Sequence, residues 1–232
     1  MNSVEYSKHS TINLEILNDI YTDESIADDF GFTGGTASTL FHRLPRYSLE
    51  LELTHIGSNS SHTSQEKLHH VVSKYGRVSH EQKTQDITSL KISRGLLEHK
   101  IAIEINENPT DSSYETRNLL GVRIPVMVSN DIFAYKIIDL YKNSDKKGRN
   151  LFDVHEFFSS ELPYNTDIIN NLSNQSVKHV LEKCIDNIRE IDEDDIFSDL
   201  KLVIAKEKMA FAQYEMKDKT IAYIEQSLLN WQ

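Results

Sequence analysis

Between Phe30 and Leu53 the chain reads Phe-Gly-Phe-Thr-Gly-Gly-Thr-Ala, then, after a short amphipathic stretch, Arg-Tyr-Ser-Leu-Glu-Leu-Glu-Leu. Strict alternation in the second half predicts a strand, because successive strand side chains point to opposite faces. Leu49, Leu51 and Leu53 then enter a core, while Glu50, Glu52 and Thr54 line the other surface. Two carboxylates held roughly 7 Å apart on one rigid face suit Mg²⁺, which takes one or two protein carboxylates and fills its octahedron with water and phosphate oxygens. The glycines at 34 and 35 let backbone N–H groups approach an anion closely, and the helix expected to begin at Thr36 aims its positive end the same way. Read separately, a Gly-Gly is an ordinary turn and a Leu-Glu alternation an ordinary half-buried edge.

In order and spacing, Gly34-Gly35-Thr36-Ala37 followed by Arg46-Tyr47-Ser48-Leu49-Glu50-Leu51-Glu52-Leu53 resembles the first motif of the DNA-polymerase-β-like nucleotidyltransferases, in the form found in the AbiEii/AbiGii toxin family. That family reads Gly-Gly-Thr-Ala and Arg-Phe-Ser-x-Asp-Leu-Asp-Phe, so glutamates stand here for both aspartates. A second segment, from Val128 through Lys136 to Leu140 and then Gly148-Arg149-Asn150-Leu151-Phe152-Asp153, resembles the family's Lys-containing helix and Arg-Asp-x-x-Asp-Leu. Lys136, Arg149 and Asp153 are retained, and Asn150 replaces the first aspartate.

The resemblance implies an α/β (α+β) fold: a polymerase-β-like core with a mixed sheet over residues 1–129, then a helical C-terminal domain over 130–232. It implies a nucleotidyltransferase, the toxin half of a toxin–antitoxin or abortive-infection system, moving NMP from a nucleoside triphosphate to an acceptor that is RNA or tRNA. Mg²⁺, or Mn²⁺, would be held by Glu50, Glu52 and Glu104; Gly34, Gly35, Thr36, Ser48 and Lys136 would bind the nucleotide; Arg46, Arg149 and Asp153 would support the site. An antitoxin protein is the implied partner. The glutamates keep open an alternative: a weak or inactive nucleotide-binding homologue that acts through a protein partner, since a displaced ligand disturbs Mg²⁺ geometry.

Two of these assignments have plainer readings. Glu104 alternates with Ile101, Ile103 and Ile105, so it either joins Glu50 and Glu52 or is an exposed strand glutamate. Lys136 interrupts an apolar run and either faces phosphate, pairs with Asp153, or snorkels to solvent.

Composition narrows the field. A net charge of −11 in 232 residues, with only short basic clusters, opposes a general nucleic-acid binder. Cys184, the single cysteine, falls on an apolar helix face with Val180, Leu181 and Ile188 and reads as a buried structural thiol. No apolar run reaches membrane-spanning length, and Met1-Asn2-Ser3-Val4 has no leader character, so a cytoplasmic location is expected. The ten histidines include no His-x-His or His-Glu-x-x-His, which leaves a zinc hydrolase without a basis. From residue 130 onward, apolar spacing predicts helices over 131–141, 151–159, 166–172, 177–190, 196–205 and 208–229.

Overall fold

The structure, a computed structural model, describes residues 3–84, 86–93, 100–107 and 111–229. The chain forms two compact units, one of residues 1–37 and 48–128, the other of residues 38–47 and 129–232.

The first unit is built on a seven-stranded sheet: β1 (Phe30–Thr33), β2 (Glu50–His55), β3 (Arg77–Lys83), β4 (Ile87–Ser93), β5 (Ile101–Asn106), β6 (Tyr114–Leu119) and β7 (Val122–Met127), in the order β3-β4-β5-β2-β1-β7-β6. It is mixed: β2 runs parallel to β5 and β1 parallel to β7, while the other pairs are antiparallel. Helix α1 (Ser3–Thr22) packs on β7 and on α3 (Ser61–Ser73). The alternation does its expected work, since Phe32, Leu51, Leu53, Leu90, Ile92, Ile103, Ile105 and Val126 are all buried, as are Ile16, Leu17 and Ile20 of α1 and Leu68, Val71 and Val72 of α3. Helix α3 starts at Ser61, four residues before the Gln65 that the periodicity suggests, and is capped by Ser60, whose side chain accepts the Thr63 N–H.

Strand β6 has no counterpart in the sequence expectations. Tyr-Glu-Thr-Arg-Asn-Leu is mostly polar, half-exposed at its ends and exposed at Thr116, Arg117 and Asn118, so it carries no alternation, and it is held by its hairpin with β7. Leu120 and Gly121 make that turn with φ of 53° and 90°, the two positive values a type I′ turn requires. Pro125, which the sequence places near an edge or a bulge, sits one strand in, paired with Thr116 of the edge strand β6, while β7 meets β1 at the single register pair Phe32–Val126. Alternation predicts a strand over residues 98–106 and a loop from Asn108; Glu98, His99 and Asn108-Pro109-Thr110 lie outside the described residues.

The second unit is helical: α4 (Ser129–Tyr141), α5 (Lys147–Ser159), α6 (Thr166–Ser173), α7 (Val177–Glu190), α8 (Glu193–Leu200), α9 (Lys206–Tyr214) and α10 (Met216–Leu229). Helix α2 (Gly34–Phe41) begins in the first unit and ends in the second. Helix α4 packs on α5, α6 and α7, and α10 on α5, α7 and α9. The Phe133 ring anchors an aromatic group, 5.1 Å from Phe157, 4.8 Å from Phe158 and 5.7 Å from Tyr164 between centroids. Cys184 is buried, and burial pushes its thiol up to about 12, the signature of an inert packing group. Helix α8 starts three residues before the expected Ile196, since Glu193, Asp194 and Asp195 favour a helix N-terminus. The helix expected over 208–229 divides at Glu215, where φ of −121° interrupts it.

His155, only 6% exposed, packs between the Phe211 and Tyr223 rings. The Thr220 hydroxyl spends its hydrogen on the Met216 carbonyl, so His155 Nδ1 donates to Thr220 Oγ1 at 3.0 Å. Burial, reinforced by Lys219 and Lys208, brings the imidazole down to about 4 from 6.5. As pH falls below the ordinary histidine value, the unfolded chain takes up a proton that the fold refuses. Stability is therefore full above pH 6.5 and is lost toward pH 4, by up to about 3 kcal/mol. Urea unfolding of wild type and His155→Gln across this range should show the wild-type advantage shrinking by that order; a constant gap would contradict a neutral His155.

Candidate active site

Strand β1 delivers the chain to Gly34, whose φ of +72° is open to glycine and strained for other residues. A Cβ there would lie 2.1 Å from the Glu52 carboxylate, so the carboxylate occupies the space that the absent side chain leaves. Gly35 N–H donates to Glu52 Oε1 at 2.9 Å, and the Thr36 hydroxyl donates to the Glu50 carbonyl. The Gly-Gly-Thr segment is thus the first turn of α2, not a loop before it, and it grips β2. Glu52 caps that helix end, where a negative charge is favoured.

The register brings the third carboxylate in. Glu52 pairs with Glu104 across the parallel β2–β5 ladder, and Glu50 pairs with Ala102. Residues in register share a face, so Glu50, Glu52 and Glu104 lie on one face, all half-buried, opposite the Leu51, Leu53, Ile103 and Ile105 core. Strand β4 adds Ser89 beside Glu104 and Lys91 beside Ala102 to the same face. Lys91 was not singled out from sequence; the alternation Ser-Leu-Lys-Ile marks its face, but only the β4–β5 pairing puts it next to the acids. Ser48 is half-buried in the segment that leads into β2.

Among the described residues, no three His, Cys, Asp or Glu side chains are gathered closely enough to hold a metal ion. In donor type the face nevertheless fits a hard divalent cation: three carboxylates on two adjacent strands, one of them oriented by a backbone N–H.

A second charged group lies within the helical unit. Arg46 grips Asp153 with both ends of its fork, Nε to Oδ1 at 2.5 Å and Nη2 to Oδ2 at 2.7 Å, and donates Nη1 to the Tyr47 carbonyl at 2.9 Å. Lys136 is 3.5 Å from Asp153 Oδ2 and 4.0 Å from Asp139 Oδ2, with its side chain 10% exposed. Of the roles open to Lys136 from sequence, pairing with Asp153 is the one seen, and snorkelling is not. Asp139, one helical turn after Lys136, was missed although the i, i+3 spacing marks it. Arg149 donates Nε to the Asp199 carbonyl at 3.4 Å, and Asn150, in place of the family's aspartate, donates to the Asp145 carbonyl at 3.1 Å.

The mixed sheet with its helices is an α/β fold, and solved structures share it. The chain is similar to JHP933 from Helicobacter pylori, with a TM-score of 0.53 and 16% identity over 100% of this chain and 98% of that one. It is similar to the same degree, 0.53 and 16% over 98% and 99%, to a Helicobacter pylori protein described as a candidate nucleotidyltransferase. No curated protein matches its sequence significantly. The family model described as nucleotidyl transferase AbiEii toxin, type IV toxin–antitoxin system, matches residues 15–222, and the chain belongs to that family. Among the described residues, no helix is long and apolar enough to cross a membrane.

Proposed function

We propose that this protein transfers a nucleoside monophosphate from a nucleoside triphosphate to an RNA acceptor, tRNA included, as the toxin whose cognate partner is an antitoxin protein. The observation that carries the reading is the shared face of Glu50, Glu52 and Glu104, with Glu52 locked to the Gly35 N–H. These carboxylates would hold Mg²⁺ or Mn²⁺. When bound, a divalent cation supplies neutralisation of triphosphate charge and a more acidic acceptor hydroxyl.

The chain's own residues prepare that chemistry. Gly34 and Gly35 fix the Glu52 carboxylate, and Thr36 ties α2 to the backbone of Glu50, so one ligand and the strand that carries the other are held before substrate arrives. The positive end of α2 favours phosphate as it favours Glu52. Ser48, in the approach to β2, is assigned to the nucleotide as a hydroxyl donor. Arg46, Lys136, Asp153 and Arg149 serve as support: with both oxygens of Asp153 taken by Arg46, the buried cluster has two cations for one fully buried anion, eased by Asp139.

The alternative, a weak or inactive nucleotide-binding homologue that acts through a protein partner, draws on Glu50 and Glu52 standing where the family has aspartates. One experiment decides. Incubated with total RNA, Mg²⁺ and labelled nucleoside triphosphates, wild type should label RNA, and Glu52→Gln should lower the rate by about 100-fold or more, as expected for a displaced catalytic group. Nucleotide binding with no labelling, by a folded wild type in Mg²⁺ and in Mn²⁺, would favour the alternative.

A further inference from the structure

Among the described residues, the seven-stranded sheet ends at β3 on one side and at β6 on the other. An edge strand offers a row of main-chain donors and acceptors to any other strand, and proteins blunt it with a bulge, a proline, a lysine or a very short length. Strand β3 is blunted, since its register against β4 shifts between Val78 and His80. Strand β6 is not. Its six residues, Tyr114 to Leu119, hold unbroken register with β7 and include neither proline nor lysine.

Which groups of β6 point outward follows from its hairpin. The two-residue turn makes Leu119 and Val122 a hydrogen-bonded pair, and bonded and non-bonded pairs then alternate along the ladder. The Val128 N–H donates to the Ser113 carbonyl at 3.1 Å, in step with that alternation, and Thr116 falls at a non-bonded pair, opposite a proline that has no N–H to give. The N–H and C=O groups of Tyr114, Thr116 and Asn118 are therefore the ones on the outer edge. Thr116, Arg117 and Asn118 are exposed, and Leu120, in the turn beside them, is 74% exposed.

The side chains select the partner. Glu115 and Arg117 share a face, and Arg117 donates Nε and Nη2 to the same Glu115 oxygen, Oε1, at 2.8 and 2.5 Å. These charges oppose an apolar strand but match a copy of themselves. We infer that β6 pairs antiparallel with β6 of a second copy of this chain, about a two-fold axis at Thr116, so that the two sheets become one. This register sets Thr116 against its own copy in a bonded pair, and Glu115 against Arg117 of the second copy in a non-bonded pair, where side chains come closest. Each Glu115 keeps Oε1 for its own Arg117 and offers Oε2 to that of the second copy, which closes a ring of alternating charges. A two-fold at Tyr114 or at Asn118 separates Glu115 from Arg117, and parallel pairing in register sets like charges together. Leu120 comes beside Ser112 of the second copy, which covers an apolar side chain that one chain leaves in water. The axis stands perpendicular to the sheet, so the acidic faces of both copies look to the same side.

This inference does not depend on the transfer chemistry. Sedimentation equilibrium of the full chain over about 1–200 µM should show a reversible monomer–dimer equilibrium, since one pair of strands makes a small, weak interface. Glu115→Arg, which sets arginines against each other on both sides of the axis, should raise the dimer dissociation constant by about tenfold or more, and Arg117→Glu should do the same with glutamates. The double variant Glu115→Arg, Arg117→Glu should return to within about threefold of wild type, because it restores opposite charges in the same register. Thr116→Pro should abolish the dimer and leave the monomer folded, since the N–H it removes faces away from β7. Thermal unfolding checks that fold, and the charge variants carry the test independently of it. A chain that is monomeric throughout the range, a dimer that Glu115→Arg or a folded Thr116→Pro leaves intact, or a double variant no better than the single ones overturns the proposal.

Discussion

Asp153→Asn is expected to be the most destabilising single change of comparable size in the helical unit, at about 3–5 kcal/mol. Asp153 is fully buried and is the anion shared by Arg46 and Lys136, whose side chains are 4% and 10% exposed. The amide keeps the shape and removes the charge, leaving two desolvated cations with the carbonyl dipole of Asn and the half-exposed Asp139. Lys136→Met should cost much less, because Asp153 keeps both hydrogen bonds to Arg46 and a methionine fills the space of the lysine stem. Urea unfolding of the two variants checks the order; an Asp153→Asn cost under about 1 kcal/mol would show that the cluster is solvated and contributes as a surface pair does.

The parts of this fold that could be read from the chain are those whose signal is local. Phe30–Thr33 and Glu50–His55 announced themselves by alternation and by the glycines between them, and Val177–Glu190 by its apolar stripe. Tyr114–Leu119 carries no such signal, because an exposed edge strand is specified by its partner and its turn rather than by its own pattern. The break at Glu215 was hidden for the opposite reason: apolar spacing continues across it, and the interruption is a packing event without a proline or glycine to mark it. At the candidate site, the common face of Glu50 and Glu52 follows from the period of a strand, whereas the adjacency of Glu104 needed the β2–β5 register. The same limit applied to Lys136, whose tie to Asp153 depends on how α4 and α5 pack.

Gly34→Ala is the second large effect, and it falls on the site rather than on the fold. A methyl group at Gly34 would sit 2.1 Å from the Glu52 carboxylate on a backbone at φ +72°, so the carboxylate must leave or the turn must open. Stability should fall by about 1–2 kcal/mol from the backbone strain. RNA labelling should fall much further, by about 100-fold, since a shift of roughly 1 Å in a catalytic group has that consequence.

The central claim, that Glu50, Glu52 and Glu104 form a metal-binding face organised by the Gly-Gly turn, is tested most directly by electron paramagnetic resonance of Mn²⁺ titrated into wild type, Glu52→Gln and Gly34→Ala, each first shown to be folded by its unfolding curve. Saturable binding by wild type, weakened tenfold or more in both variants, is the predicted result. Equal Mn²⁺ binding by all three proteins, or none by folded wild type with nucleoside triphosphate present, would contradict it.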